Sequence, residues 1–168
     1  MLASVVNGGT VYKPQLVKKI TDVEERDVLA FPPEVVRQLD INKKYLTQVK
    51  EGLVGVVNEK RGTGRSAYLE YVTVGGKTGT AQVVATRPED EDEKDVPYKF
   101  RDHAWFVAFA PAEDPRIVVV VIAEHAGHGS SAAAPLAKKV LEAFFSEEAG
   151  RLAMTGKQKA HAVQGETP

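Results

Sequence analysis

The sequence predicts an α+β fold in which about three antiparallel strands pack with helices. Two observations carry this. Tyr71–Val84, His103–Ala110 and Arg116–Glu124 read as strands, and the last two are joined by Pro111-Ala112-Glu113-Asp114-Pro115, a hairpin spacing. On either side of them apolar residues recur at three- and four-residue steps, after Asn42 and after Ser130, which is helical periodicity.

From the N-terminus, Met1–Gly9 reads as the end of a helix closed by Asn7-Gly8-Gly9, and Thr10–Ile20 as a short peripheral turn-and-strand segment. Pro32-Pro33 punctuates the chain. From Asn42 an amphipathic helix carries Leu46, Val49, Leu53, Val56 and Val57, and should stop near Lys60-Arg61-Gly62 with glycine as a left-handed cap. Gly62-Thr63-Gly64-Arg65 is a loop. In the strand from Tyr71 to Val84, Gly75, Gly76 and Gly79 mark places where another backbone or a ligand approaches closely. The run Ile117–Ile122 predicts a strand covered on both faces. Ser130 or Ser131 caps a last helix with Ala133, Leu136, Ala137, Val140, Leu141 and Phe144 on its inner stripe.

Composition excludes several function classes. With 22 Lys plus Arg against 23 Asp plus Glu, no global field draws in nucleic acid. There is no cysteine, hence no disulfide, thiolate nucleophile or thiolate metal site. The longest purely apolar run, Ile117–Ala123, is far short of the roughly 20 residues of a membrane-spanning helix. The N-terminus lacks the pattern of a signal peptide.

Gly76-Lys77-Thr78-Gly79-Thr80 is the segment whose residue types demand a chemical explanation. A phosphate-binding loop would need glycine at position 71, which is Tyr71, and a helix afterwards, where Ala81-Gln82-Val83-Val84 prolongs a strand. In a strand, Thr78 and Thr80 share one face and Lys77 takes the other. Two hydroxyls beside a cation suit a substrate carboxylate, and Gly79 admits an extended peptide. The Thr80 amide could then donate to a developing oxyanion.

Gly62-Thr63-Gly64, then Val74-Gly75-Gly76-Lys77-Thr78-Gly79-Thr80-Ala81-Gln82, then His103-Ala104-Trp105-Phe106-Val107-Ala108-Phe109-Ala110-Pro111 together resemble class B penicillin-binding proteins. Glu124–Pro135 further resembles the elongation-type branch, penicillin-binding protein 2. The similarity runs from Leu2 to Phe145. It implies a partial transpeptidase fold and a peptidoglycan D,D-transpeptidase that cross-links stem peptides through an acyl-serine intermediate and is blocked by β-lactams. It also implies that Lys77 belongs to the polar network behind the nucleophile, that Thr78 and Thr80 hold the substrate carboxylate beside Gly79, and that Thr80 N–H is one oxyanion donor. No cofactor or metal is implied. The implied parent is membrane-anchored at the periplasmic face of the inner membrane and works with the cell-wall elongation machinery. Its sheet has five strands, two of them from the N-terminal side of the domain.

One part of the family pattern is missing. Ser4, Ser66, Ser130, Ser131 and Ser146 are followed three residues on by Asn7, Leu69, Ala133, Ala134 and Ala149, so Ser-x-x-Lys does not occur; nor does Ser-x-Asn. Residues 1–149 are therefore expected to be the C-terminal portion of a transpeptidase domain, with 150–168 a disordered tail and the nucleophile upstream. The alternative is a stand-alone, non-catalytic module that binds peptide or protein at a sheet edge.

Other signals point to structure rather than chemistry. Six of the seven residues Glu89–Asp95 are acidic, a solvated mobile loop between Pro88 and Pro97. Glu124, His125 and His128 are read as a loop rather than a metal cluster. Asp102 and His103, adjacent in a strand, point to opposite faces and make no dyad. Arg116–Glu124 is expected to leave an apolar edge open to self-association.

Overall fold

The computed structural model describes residues 1–83 and 96–147, so the expected acidic loop, the strand end at Val84 and the expected tail lie outside the described residues. The chain divides into two compact units, Met1–Gly52 and Leu53–Pro168.

In the first unit, α1 (Leu2–Val6) ends at Asn7, and Gly8 and Gly9 take φ of +85° and +101°, which glycine adopts without penalty. The Asn7 carboxamide brackets this turn, accepting from Thr10 N–H and donating to Thr10 O. β1 (Thr10–Tyr12) pairs antiparallel with β4 (Val35–Gln38), and β2 (Lys19–Thr21) with β3 (Asp27–Ala30). The sequence pattern yields only the first of these strands. β2, β3 and β4 are exposed along their whole length, so no buried face imposes the two-residue alternation by which a strand is read. Between β2 and β3 the Asp22 carboxylate accepts from Arg26 and Glu24 N–H, and the Arg26 bond holds its carboxyl below the usual carboxylate value.

α2 (Lys43–Asn58) starts where expected, with Asn42 Oδ1 accepting Lys44 N–H. It stops at Asn58, short of the expected Lys60–Gly62, and the cation at its C-terminal end is Arg65, which donates to Asn58 O at 3.1 Å. Gly62 is not a left-handed cap: among the described residues the left-handed glycines are Gly8, Gly9 and Gly127. It must be glycine because a Cβ there would stand 2.2 Å from Val56 O. Val49, placed on the inner stripe by its spacing, is 50% exposed, whereas Leu46 and Val57 are buried.

The second unit is built on a three-stranded antiparallel sheet in the order β5 (Gly75–Ala81), β6 (His103–Ala110), β7 (Ile117–Ala123). β6 and β7 match the expected spans to within a residue. β5 begins at Gly75 rather than Tyr71, since residues 71–74 lie outside the ladder. Cross-strand partners share a face, so Gly76, Thr78 and Thr80 align with Ala108, Phe106 and Ala104. That face meets a core of Val57, Leu69, Val74, Phe106, Val119 and Leu141.

Gly75 and Gly76 do answer to a close approach, but by phenyl rings. A Cβ on Gly75 would lie 2.2 Å from Phe109 Cζ and one on Gly76 2.7 Å from Phe106 Cζ, and both rings are fully buried. Gly75→Ala is accordingly expected to destabilise by about 1–3 kcal/mol in denaturant melts, as overpacking does. Gly52→Ala, mid-helix with nothing within 4 Å, should instead stabilise by about 0.5–1 kcal/mol.

Two apolar runs are less buried than their composition suggests. β7 is covered on one face only, with Val120 58% and Ile122 46% exposed among the described residues. The last helix begins as a π-turn at Gly129–Ala133 and continues as α3 over 134–147. Ser130 and Ser131 lie inside that turn and do not cap it. Ala133, Ala134, Ala137 and Leu141 are fully buried, but Leu136 and Val140 face outward. A stripe of small residues lets the helix approach the sheet closely, so a narrow face suffices to bury it.

Candidate functional site

Lys77, Thr78, Gly79 and Thr80 all lie on β5, an edge strand of the described sheet. In an antiparallel ladder alternate residues turn both N–H and C=O away from the partner, so the outer side of β5 offers main-chain donors and acceptors to an added strand. The face assignment read from the sequence holds: Thr78 and Thr80 align with Phe106 and Ala104, and Lys77 with Val107 on the opposite face.

Lys77 is exposed, and its Nζ donates to Thr78 O at 2.8 Å. It forms no ion pair among the described residues. Thr78 is half-buried, and its Oγ1 lies 3.3 Å from Thr63 Oγ1. Thr63 is brought there by the loop after α2, which is pinned by Gly64 N–H donating to Val56 O at 2.9 Å. Gly64 has no room for a side chain, since a Cβ would stand 2.9 Å from the Phe106 ring. Three hydroxyls therefore belong to this region, where the motif on its own supplies two.

Gly79 is approached by protein backbone. A Cβ on Gly129 would fall 2.2 Å from Trp105 O, 2.8 Å from Gly79 O and 3.1 Å from Gly79 N, so the start of the π-turn lies directly on the Gly79–Trp105 pair. Thr63 and Gly129 are the positions that the sequence reading leaves without a role. The signals were present in the glycines around Thr63 and in Gly127-His128-Gly129, but a long-range contact has no local signature.

Other candidates resolve into structure. His103 Nδ1 accepts His125 N–H at 2.9 Å, so it is committed to a backbone group rather than to Asp102. Ser66 Oγ donates to Ser130 O, Ser131 Oγ to His128 O and Ser4 Oγ to Met1 O. Each of these hydroxyls donates to a carbonyl, which is not a base. A cleft of about 390 Å³ is lined by Asn58, Tyr68, Glu70, Tyr71, Thr73, Pro111 and Glu113, and by none of Lys77–Thr80. Burial, with a lesser push from Glu142, raises the Tyr71 phenol above its ordinary value.

An antiparallel sheet with Lys-Thr-Gly on its edge and a C-terminal helix on its inner face defines the sheet half of a penicillin-recognising fold. Residues 1–142 match the penicillin binding protein transpeptidase domain, and the chain belongs to that family. It is 38% identical over 151 residues to the peptidoglycan D,D-transpeptidase MrdA of Haemophilus influenzae, covering 85% of this chain and 22% of that protein. The D,D-transpeptidase domain of a peptidoglycan glycosyltransferase from Eggerthella lenta superposes with a TM-score of 0.64 at 29% identity, over 86% of this chain and 30% of that one. Penicillin-binding protein 2 of Helicobacter pylori, solved in complex with MreC, superposes with a TM-score of 0.53 at 32% identity, over 68% of this chain and 20% of that one. The chain thus spans about a fifth of the length of the curated relative.

Proposed function

We propose that this chain supplies the substrate-binding strand of a peptidoglycan D,D-transpeptidase, in which a serine from another part of the protein forms an acyl-enzyme with a stem peptide or with a β-lactam. The observation that carries the reading is the intact Lys77-Thr78-Gly79-Thr80 on an edge strand, with both threonines on one face and the lysine on the other. Thr78 and Thr80 hold the terminal carboxylate of the peptide. The peptide lies along β5 at Gly79, by strand addition. Thr80 N–H donates to the carbonyl oxygen as it becomes an oxyanion. Lys77 places its charge beside the nucleophile and its base. The acyl step forms the serine ester and breaks the D-Ala-D-Ala amide, and the released amine takes a proton.

Residues 1–149 form, on this reading, the C-terminal portion of the transpeptidase domain, and the whole protein acts at the periplasmic face of the membrane. The similarity to MrdA and to the protein solved with MreC favours a role in cell elongation. In cells, the protein containing this sequence should be labelled by a fluorescent penicillin. Tryptic mass mapping should place the adduct on a Ser-x-x-Lys serine preceding residue 1. Absence of label, with a stop codon directly upstream of Met1, would favour the other reading. That reading is a stand-alone module that binds peptide, protein or a second copy of itself at the outer edges of β5 and β7, which are unpaired among the described residues.

A further inference from the structure

We infer that His103 is a positioning residue whose protonation state governs how the segment after β7 seats against the substrate-binding strand. β7 ends at Ala123, and three bonds then tie the next residues to His103, the first residue of β6, and to the two residues before it. His125 N–H donates to His103 Nδ1 at 2.9 Å, the His125 ring Nδ1 pairs with Arg101 O at 3.0 Å, and Gly127 N–H donates to Asp102 O at 3.0 Å. Two residues beyond, Gly129 lies on Gly79 and Trp105 with no room for a Cβ. The latch therefore decides where Gly129 sits, and Gly129 backs the glycine of the Lys-Thr-Gly strand.

The bonding fixes the tautomers. His103 Nδ1 faces a donor and must be bare, so its ring proton is on Nε2; His125 Nδ1 faces a carbonyl and must carry a proton. The rings meet edge to face at 4.6 Å. His125 also holds a left-handed φ of +54°, which a non-glycine residue keeps only when its surroundings enforce it. A second proton on His103 would put donor against donor and leave His125 N–H without its acceptor, whereas His125 can gain a proton and keep its bond. The response is thus assigned to one ring. Among the described residues, the titratable groups beside the pair are Tyr98, whose ring lies 4.9 Å from that of His125, and, as neighbours in sequence, Arg101 and Asp102 leading into β6 and Glu124 and His128 after β7. Histidine is the side chain whose charge changes in the mildly acidic range, so acid is the variable that tests the latch.

Its effect on substrate binding rests on the transpeptidase reading, but the latch itself is read by amide exchange, so the two can fail separately. In this chain the protection factor of the His125 amide should fall roughly tenfold between about pH 7.5 and pH 5.5, the scale of one lost hydrogen bond. His103→Asn, whose Oδ1 can stand where Nδ1 stood but does not titrate, should keep protection at both values. His103→Ala should lose it at both. Imidazole nitrogen spectra of the unmodified chain, which need no variant, should show Nδ1 of His103 bare and Nδ1 of His125 protonated. The reverse tautomers, protection that does not respond to pH, or full protection in His103→Ala would each overturn the inference.

Discussion

Replacing Lys77 by methionine in the full-length protein is expected to slow acylation by penicillin roughly a hundredfold while leaving the melting temperature nearly unchanged. Removing a group that assists proton transfer or stabilises developing charge typically lowers a rate by about 10²–10⁴. The structure separates this from folding. Lys77 is exposed, its ammonium donates to the carbonyl of the next residue, and it forms no ion pair among the described residues. Surface substitutions of that kind usually lie within about ±0.5 kcal/mol. Methionine keeps the apolar stem and removes the charge. Thr78→Val is the companion, since it deletes the hydroxyl facing Thr63 but keeps the shape. It should raise the concentration of penicillin needed for half-maximal rate more than it lowers the limiting rate, as loss of uniform binding does. Stopped-flow labelling beside a thermal melt makes both measurements. A Lys77→Met protein that acylates normally would remove Lys77 from the chemistry.

Whatever depended on local periodicity could be read from the sequence: β6 and β7 with their hairpin, the core of α2, and the two faces of the Lys-Thr-Gly strand. Burial was misread wherever composition stood in for packing. Val120, Ile122, Leu136 and Val140 are aliphatic and in sequence look like core, yet each faces outward among the described residues. β2, β3 and β4 went unread because exposed short strands carry no hydrophobic alternation. In the site, the motif announced itself through residue types. Thr63, Gly129 and the His103–His125 bond did not, because each depends on a contact between segments far apart in sequence, which only the fold creates.

The 168-residue chain by itself is expected to form no covalent adduct with a fluorescent penicillin and to release no D-alanine from a D-Ala-D-Ala peptide. A serine hydroxyl attacks an amide or lactam only when a positioned base takes its proton. None of the five serines has lysine three residues on. In the fold, Ser4, Ser66 and Ser131 donate their hydroxyls to backbone carbonyls, which cannot accept the proton outright. Binding should be weak as well. Thr78 and Thr80 line one strand of the described sheet, and a peptide held along that edge alone must offset its full loss of translational and conformational freedom. The measurement is gel fluorescence and intact mass after prolonged incubation, with the full-length protein run alongside as the positive arm. Label on the longer protein and none on this chain is the expected pair of results. A stoichiometric adduct on Ser66, Ser130 or Ser131 of the isolated chain would place the nucleophile inside it and sink the division of labour proposed above.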